Sequence, residues 1–377
     1  MQQYPISKIY INGFKSIREL DLELSNVNIL IGANGSGKSN FIQFFKLLNK
    51  MINAELANYT ISKGGANYFF HWGMKNTQKI KAKLEFNRNI YEFSLNPSLG
   101  QSPSLFINRE IGHFLTDVGT TYIAFDELNN IETCLTNYSF GSPVTASHHI
   151  AQAIKSWQVF HFHDTSDTAG VKQFVDINDN SFLKSQAENM ASFLYEMKIN
   201  NNQNYQDIVS HVRLIADYFK DFDIEPRSLI QPLPNSLLSG GERQLVSLKW
   251  IEKHSEEYRD AHYLSDGTLR FICLATLLLQ PKPPTTIILD EPEIGLHPHA
   301  INVLAAMIKK ASSRTQVVVA TQSPTLIDNF SSDQIIVVNR DSKESKFRRL
   351  REEELASWLE DYTLGELWQK NILGANP

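Results

Sequence analysis

The chain has 377 residues, which is enough for one large or two ordinary domains with a sizeable core. A net charge of −5 gives no overall attraction to nucleic acid, and 42% hydrophobic residues are typical of a soluble globular protein. Cys134 and Cys273 lack metal-ligand spacing, so we expect reduced thiols in a cytoplasmic protein. No apolar run approaches the ~18 residues that span a bilayer, and residues 1–5 do not start a signal peptide. We therefore expect no membrane association.

The first third of the chain predicts strands, a glycine loop and a helix. Apolar residues alternate or cluster in three stretches that predict strands at residues 6–11, 17–24 and 27–31. Helical spacing of apolar residues predicts a helix over 38–52. Period-two alternation over 79–95 and 103–109 predicts an antiparallel β layer.

Helices dominate the predictions for the middle of the chain, and βα units those for its end. Two apolar patterns, one around Phe193 and one from Ile208 to Phe219, predict two helices in a helical lobe over 165–235. Alternating helices and apolar strands then predict parallel βα units with both sheet faces covered. These elements are helices at 268–279, 298–311 and after Pro324, and strands at 285–290, 316–320 and 334–338. The residues from 352 to 373 form an amphipathic tail.

A complete phosphate-binding motif, G-x-x-x-x-G-K-[ST], lies between the predicted strand and the predicted helix. Its backbone N–H groups can wrap phosphates, aided by the positive end of the helix. Lys38 is predicted to reach the β- and γ-phosphates of ATP, and Ser39 to bind Mg²⁺. The alternative is an incidental glycine-rich turn, which would not need to lie between a strand and a helix. The predicted nucleotide-binding residues are Gly32, Ala33, Asn34, Gly35, Ser36, Gly37, Lys38, Ser39 and Asn40.

Two carboxylates end the apolar strand predicted at 285–290. Asp290 is placed to hold hydrated Mg²⁺, and Glu291 to orient the water that attacks the γ-phosphate. Phosphoryl transfer depends mainly on positioning and charge stabilisation, so such groups suffice without covalent chemistry. The alternative is a solvated strand end.

Two stretches compete for the Ser-x-Gly turn that would meet a γ-phosphate across an interface. Residues 238–242 (LSGGE) match the ABC signature more closely in their amino acids. Their serine, Ser239, however, lies 51 positions before Asp290, and a stretch with period-two alternation follows them. In residues 264–268 (LSDGT), Ser265 lies 25 positions before Asp290, and one continuous apolar helix begins at this turn. A signature must cap a helix for its dipole to reach the phosphate. We predict Ser265 and Gly267 as the signature and a hairpin turn for the upstream match.

Polar residues also follow the predicted strand at 316–320. Gln322 is predicted to face the γ-phosphate, whereas Ser323 is predicted to cap the helix that starts at Pro324. His161-Phe162-His163-Asp164 and His297-Pro298-His299 lack a partner cluster at metal-site spacing, so structural roles are favoured. The aromatic residues Trp157, Phe160 and Phe162 are predicted to pack in the core.

Six stretches of the chain resemble the ABC-type ATPase heads of the SMC/RecF/OLD group, and more narrowly its stand-alone bacterial ATPases. They are residues 11–17 (INGFKSI), 32–41 (GANGSGKSNF), 264–270 (LSDGTLR), 289–298 (LDEPEIGLHP), 320–328 (ATQSPTLID) and 364–368 (LGELW). The resemblance implies an α/β ABC-ATPase head: a P-loop NTPase core sheet with an antiparallel β layer, plus a helical lobe. The implied divisions are an N-terminal ATPase lobe (1–164), a helical insertion lobe (165–235) and a C-terminal ATPase lobe (236–377).

The chain departs from the family pattern at several positions. Gln322 replaces the usual switch histidine, and it can hydrogen-bond a phosphate but cannot carry a proton charge, so slow hydrolysis is expected. Asp266 stands where many relatives have glycine. The glutamine that links Mg²⁺ to the helical lobe is unplaced, with Gln152 and Gln158 as candidates. No long heptad coiled coil is present, and the stretch after Arg340 is too short for the TOPRIM nuclease domain of OLD proteins.

The resemblance implies an ATPase that closes head-to-head around ATP and Mg²⁺, as a homodimer or higher oligomer. It implies control of a separately encoded effector, nuclease-like or toxin, or of DNA, in phage defence or DNA maintenance. The alternative is a scaffold that binds ATP without hydrolysing it. An ATP subunit of a transporter fits less well, because residues 14–16 (FKS) point to the SMC/RecF side.

Overall fold

The computed structural model describes residues 5–86, 89–100, 103–116, 119–125, 130–135, 146–228 and 244–374. The chain divides into two compact units, each built from separate stretches. Unit 1 comprises Met1–Val159, Pro284–Glu291 and Ser312–Pro377, and unit 2 comprises Phe160–Pro283 and Pro292–Ala311. The three consecutive divisions 1–164, 165–235 and 236–377 stay a prediction.

The first sheet of unit 1 is the predicted antiparallel β layer. Its strand order is β2-β1-β4-β5-β6-β7, and every neighbouring pair is antiparallel. Strands β1, β4 and β5 alternate buried residues with more exposed ones, as a sheet with one covered face requires. Their bounds are β1 Lys8–Phe14, β2 Ile17–Glu23, β4 Ile80–Phe86, β5 Asn89–Pro97, β6 Leu105–Thr116 and β7 Gly119–Phe125.

The second sheet of unit 1 carries the P-loop and the strand that ends in two carboxylates. Its order is β18-β17-β3-β16-β15-β8. The pairs β17–β3, β3–β16 and β16–β15 are parallel, whereas β18 pairs antiparallel with β17. The bounds are β3 Val27–Ile31, β8 Gln158–Phe160, β15 Thr286–Asp290, β16 Gln316–Thr321, β17 Ile335–Asp341 and β18 Glu344–Arg349.

Helix α1 is the central helix of the unit 1 core. Its Phe44 ring meets Phe14 of β1 edge-to-face at 5.3 Å and stacks with Phe93 of β5 at 6.4 Å. Phe45 packs on Trp157, which is buried as predicted. The helices are α1 Lys38–Ile52, α2 Leu56–Ser62, α3 Ala146–Ser156, α8 Pro324–Ile327, α9 Glu352–Leu359 and α10 Leu364–Gln369.

Unit 2 combines helices with two small sheets. The sheets have the orders β10-β13-β14 and β11-β12-β9, all antiparallel. The helices are α4 Met190–Asn200, α5 Asn202–Ile215, α6 Asp266–Leu279 and α7 Pro298–Ala311. The strands are β9 Val175–Asp176, β10 Phe219–Phe222, β11 Arg227–Ser228, β12 Gln244–Val246, β13 Lys249–Glu252 and β14 Tyr258–Asp260.

One element differs from the sequence-based expectation, and two further stretches take shapes that the sequence did not specify. Phe219 was predicted on a helix, but α5 ends at Ile215 and Phe219 pairs with Glu252 on β13, where its ring stacks on Trp250. The lobe at 165–235 therefore contains strands as well as helices. The basic stretch at 346–351 largely forms β18, and Phe347 packs against the core. The amphipathic tail is split into α9 and α10, because Thr363 caps a new helix.

The described part of the chain has short helices and no disulfide. Its longest helix, α1, has 15 residues, and within the described ranges no helix is both long and apolar enough to cross a bilayer. Neither Cys134 nor Cys273 forms a disulfide in the part of the chain that the structure describes, and Cys273 is buried within α6.

Replacing Phe44 tests the packing of α1. Phe44→Ala should lower the free energy of unfolding by about 3–5 kcal/mol, because a fully buried ring leaves a cavity. Urea titration followed by circular dichroism measures this loss. The exposed Phe182 gives the control, since Phe182→Ala should change stability by no more than about 0.5 kcal/mol. Equal losses in both variants would contradict the assignment of Phe44 to the core.

Candidate nucleotide-binding site

The register of three parallel strands brings the predicted site residues of unit 1 to one edge of the sheet. Ile31 at the end of β3 lies beside Thr321 of β16, and Asp290 at the end of β15 lies beside Ala320. Carboxyl ends of parallel strands form the usual ligand-binding edge of an open α/β sheet. The P-loop, Gln322 and Glu291 each follow one of these ends, so chain positions about 290 residues apart become neighbours.

Two of the P-loop glycines, Gly32 and Gly37, are required by the close approach of neighbouring residues. A Cβ at Gly32 would lie 2.1 Å from the carbonyl oxygen of Val338, and one at Gly37 would lie 2.0 Å from Ser345 Oγ. Gly37 also has a φ of 121° where it caps α1. At Gly35, by contrast, nothing lies within 4 Å of the Cβ position. The loop is therefore closed on the β17–β18 side and open at its tip.

The polar groups inside the loop fit a polyphosphate. The Lys38 ammonium donates hydrogen bonds to the carbonyl oxygens of Gly32 and, at 3.2 Å, Ala33, and the residue is only 5% exposed. Ser36 is buried, and its Oγ has no hydrogen-bond partner among the described residues. Together with the N-terminus of α1, these groups supply the hydrogen-bond donors and positive charge that a phosphate needs.

A network of serine side chains supports the P-loop on the side of β18. Ser345 Oγ lies 2.5 Å from the carbonyl oxygen of Ser36 and 2.7 Å from Ser16 Oγ, and the Ser345 N–H donates to the Ser16 carbonyl oxygen. Asn40 Nδ2 donates to Ser16 Oγ at 2.7 Å, which links α1 to the same network. Arg340 reaches the Gly35 carbonyl oxygen at 3.3 Å.

The prediction included Asn40 but missed Ser16, Ser345 and Arg340 as supports. A signal was present in β18, where Ser345 and Phe347 alternate with charged neighbours. Period-two alternation of that kind is typical of a strand with one buried face.

Glu291, Gln322 and Asn34 form a hydrogen-bonded cluster above the loop. Gln322 Nε2 donates to Asn34 Oδ1 at 2.8 Å and also to Glu291 Oε1. Glu291 has a left-handed backbone with φ of 48°, and its N–H donates to the Ala320 carbonyl oxygen at 2.8 Å. A non-glycine residue in this region is uncommon, and such outliers cluster at functional sites. The carboxylate and the amide therefore converge on the loop that carries Lys38.

Asp290 faces helix α1. Burial lowers the pKa of Lys46 on that helix, and the negative charge of Asp290 opposes this shift. Ser39 is exposed and lies seven positions before Lys46, which places both on one face of the helix. A hydroxyl and a carboxylate on this side suit Mg²⁺, which takes few protein oxygens besides phosphate and water. Within the described ranges, no group of three or more His, Cys, Asp and Glu side chains could hold a metal.

The predicted signature turn lies in unit 2. Ser265 caps α6, and its Oγ accepts a hydrogen bond from the Thr268 N–H at 3.2 Å, which confirms that this turn opens a helix. A Cβ at Gly267 would lie 2.5 Å from the Gly295 carbonyl oxygen, so glycine is needed here for packing. Arg270 holds the same loop by donating to the Ile294 carbonyl oxygen at 3.0 Å. The rival stretch at 238–242 lies outside the described residues, and the strands β12 and β13 follow it.

The other candidates have local structural surroundings. Ser323 caps α8 by accepting from the Leu326 N–H, as predicted. His297 Nδ1 accepts from the His299 N–H at 3.3 Å, next to the start of α7. Gln152 lies exposed on α3, and Gln158 begins β8. Neither glutamine bonds to the P-loop or Asp290 in the part of the chain that is described, so the linking glutamine stays unplaced.

Comparison with known families identifies the class of protein. The profile of the family described as "AAA domain, putative AbiEii toxin, Type IV TA system" matches residues 27–328, from β3 through the residue after α8. The chain belongs to this family. The match includes the P-loop, the signature turn, both carboxylates and Gln322.

Individual relatives agree with this assignment. The chain is 23% identical to the Old nuclease of Escherichia phage P2 over 93% of its own length and 62% of that protein's. It is 26% identical to the RecF DNA replication and repair protein of Actinobacillus pleuropneumoniae, over 30% of each chain. The chain thus spans less than two thirds of these relatives. A crystal structure of an SmcHead bound to the C-winged helix domain of ScpA shares the fold, with a TM-score of 0.52 at 16% identity over 94% of this chain and 99% of that one.

The predicted membership in the SMC/RecF/OLD group of ABC-type ATPases is confirmed, and so is the predicted fold class. The SmcHead likeness supports the fold alone. The roles of the individual site residues stay predictions.

Removing the Ser345 hydroxyl tests the support of the P-loop. Ser345→Ala removes the hydroxyl partner of the Ser36 carbonyl oxygen and one of the two partners of Ser16 Oγ, so the free energy of unfolding should fall by about 1–3 kcal/mol. Thermal unfolding followed by differential scanning calorimetry measures the loss. Ser342→Ala, on the exposed turn of the same hairpin, is the control and should leave stability nearly unchanged. A Ser345→Ala variant as stable as wild type would show that the network does not hold the loop.

Proposed function

We propose that the chain is an ATP-hydrolysing molecular switch that dimerises head-to-head around ATP. The observation that carries the proposal is the contact of Gln322 with both Glu291 and Asn34 at the P-loop. A carboxylate held by an amide, directly above a phosphate-binding loop, can accept a hydrogen bond from an attacking water and fix its direction.

Each group in the proposed mechanism has one task. Lys38 and the N-terminus of α1 bind the phosphates, and the Lys38 charge stabilises the negative charge that grows on the transferred phosphoryl group. Ser39 and Asp290 would hold Mg²⁺, which supplies positive charge to the phosphate oxygens. Glu291 orients the water, and Gln322 keeps the Glu291 side chain over the loop.

The proposed dimer gives the signature turn its role. Ser265 Oγ accepts from a backbone N–H as a helix cap, but a hydroxyl also carries one proton to donate. With the positive end of α6 behind it, the hydroxyl can bind the γ-phosphate held by the P-loop of the other subunit. The two nucleotides then bind the subunits together, and hydrolysis releases them.

The biological output of this switch would be control of a separately encoded effector, nuclease-like or toxin, in phage defence or DNA maintenance. The resemblance to Old nuclease and the family description support this. DNA itself is a possible second ligand, although the net charge of −5 does not favour it. Affinity purification of the tagged chain from its native operon, with and without ATP, would identify the effector; ATP-independent recovery would contradict its control by the switch.

A second function is favoured by the same hydrogen bond. Because Gln322 engages Glu291 and cannot take up a proton, the chain could serve as a scaffold that binds ATP without turnover. Steady-state phosphate release by the wild-type protein separates the two functions. Release at the background rate, with ATP bound, would favour the scaffold.

Replacing Glu291 tests the catalytic proposal. Glu291→Gln should bind ATP as wild type does but hydrolyse it about 10²–10⁴-fold more slowly, because the water loses its orienting carboxylate. Phosphate release measures the rate, and light scattering after gel filtration should show a dimer that accumulates only with ATP and Mg²⁺. Glu360→Gln, an exposed change with equal loss of charge, is the control. A Glu291→Gln protein that is monomeric at every ATP concentration would contradict the sandwich.

Replacing Ser265 tests the signature. In the Glu291→Gln background, Ser265→Ala should weaken ATP-dependent dimerisation and also cost about 1 kcal/mol of stability through the lost cap. Thr363→Ala removes a comparable cap from α10 and should lower stability without affecting the dimer. Sedimentation velocity with and without ATP gives both dimer fractions. Equal dimerisation by the two variants would remove Ser265 from the interface.

A further inference from the structure

Unit 2 contains a cavity beside the two places where the chain crosses between its small sheets. Residues 223–226 lead from β10 to β11, and residues 247–248 lead back from β12 to β13. The Asp223 N–H donates to the Lys249 carbonyl oxygen at 2.9 Å, which fixes the first crossing against β13. Residues of these crossings and of β11 to β14 line a cavity of about 310 Å³. This volume is at the lower end of the range for small-molecule sites, so the cavity suits a small organic ligand.

Lys249 forms the floor of this cavity. It lies on the same side of β13 as Ile251, because side chains alternate along a strand, whereas Trp250 between them stacks on Phe219. Lys249 is only 7% exposed, and its ammonium stands 4.3 Å from the centroid of the Tyr258 ring on β14. Among the described residues this ammonium has neither a hydrogen bond nor an ion pair. A buried lysine normally has an acidic partner, so Lys249 is available to a negatively charged ligand group.

The second cation of the cavity lining, Arg227, already has compensating charges. Its guanidinium lies 5.3 Å from the centroid of the Tyr258 ring. The phenol of Tyr258, as a hydrogen-bond partner, is the main cause of a raised pKa of Arg227, and the negative charges of Asp223 and Glu225 add to it. The charge at the floor is therefore the one that a ligand has to balance.

The remaining lining residues determine which anion fits. Pro226, Leu245 and Ile251 give the cavity an apolar wall, and the exposed ring of Phe174 extends it at the mouth. Glu256, also exposed at the mouth, adds a carboxylate to those near Arg227. Like charges repel, so these carboxylates disfavour a phosphate with two negative charges and attract an ammonium group. The lining thus matches a molecule with one carboxylate, one ammonium group and an apolar part.

We propose that this cavity binds a free amino acid with an apolar side chain. The ligand carboxylate accepts a charge-assisted hydrogen bond from the Lys249 ammonium, and the ligand ammonium donates one to the Glu256 carboxylate. The apolar side chain packs on the wall formed by Leu245 and Ile251. All of the lining residues belong to unit 2, whereas the P-loop belongs to unit 1. The proposal therefore does not depend on the binding or hydrolysis of ATP.

Isothermal titration calorimetry of the full chain, without nucleotide, tests the ligand class. L-Phenylalanine and L-leucine carry both charges, hydrocinnamate lacks the ammonium, phenethylamine lacks the carboxylate, and N-acetyl-L-phenylalanine mimics the end of a peptide. The wild-type chain should bind L-phenylalanine or L-leucine. The three phenylalanine analogues should bind roughly 10- to 100-fold more weakly than L-phenylalanine, because each lacks one charged partner. Binding of neither amino acid, or tighter binding of N-acetyl-L-phenylalanine, would overturn the proposal.

Two substitutions test the two charged ends of the ligand separately. Lys249→Met preserves the length of the side chain and should weaken L-phenylalanine and hydrocinnamate binding roughly 10- to 100-fold, with phenethylamine unchanged. Glu256→Gln should weaken L-phenylalanine and phenethylamine binding, with hydrocinnamate unchanged. Because Glu256 is exposed, this variant tests the site even where Lys249→Met does not fold.

The exposed neighbours Lys253 and Glu257 provide matched controls, because neither lines the cavity. Lys253→Met and Glu257→Gln should bind every probe as wild type does, and circular dichroism of each variant checks its folding. Unchanged L-phenylalanine affinity in a folded Lys249→Met or Glu256→Gln protein, or equal losses in the controls, would overturn the proposed site.

Discussion

The parallel register of β3, β16 and β15 is the constraint on which the site depends. It fixes which residues stand at the same height of the sheet, so that the P-loop, Gln322 and Glu291 meet although the chain between them is long. A shift of one residue in any of these strands would turn each side chain to the opposite face. The fully buried residues of β3 and β16 make such a shift costly, because every one of them would have to repack.

The conformation of the P-loop is set by the residues that pack against it. Two of its glycines are needed because the β17–β18 hairpin comes so close, and the hydroxyl of Ser345 contacts the Ser36 carbonyl oxygen. The loop is thus held in its wrapped form by residues of the β17–β18 hairpin. Preorganisation of this kind lowers the conformational cost of binding a highly charged ligand.

Local signals made much of the fold and the site predictable. The P-loop, the Asp290-Glu291 strand end and the Ser265 cap each sit in a few consecutive residues, and each needs only its own strand or helix to take shape. The alternation in β18 marks Ser345 as buried, but its contact with Ser36 was out of reach because the two lie 309 positions apart and no short motif marks the contact. Phe219 was misplaced for a related reason: its spacing continued the helical pattern of α5, but pairing with β13 outweighed that pattern. The sequence predicts that Gln322, Glu291 and Asn34 lie near one another at the same ATP site. Only the structure shows which of them are joined by hydrogen bonds.

The packing of Gly267 against Gly295 has a consequence for communication between nucleotides. Glu291 and Gly295 are separated by only three residues, and the Gly295 carbonyl supports the first turn of α6 that Ser265 caps. In the proposed dimer, Glu291 and Ser265 of one subunit serve different ATP molecules. A backbone change at Glu291 would therefore be linked, through the main chain of residues 291–295 and the packing of Gly295 on Gly267, to the turn that serves the other ATP. In the proposed dimer the two ATP sites would therefore be coupled rather than independent.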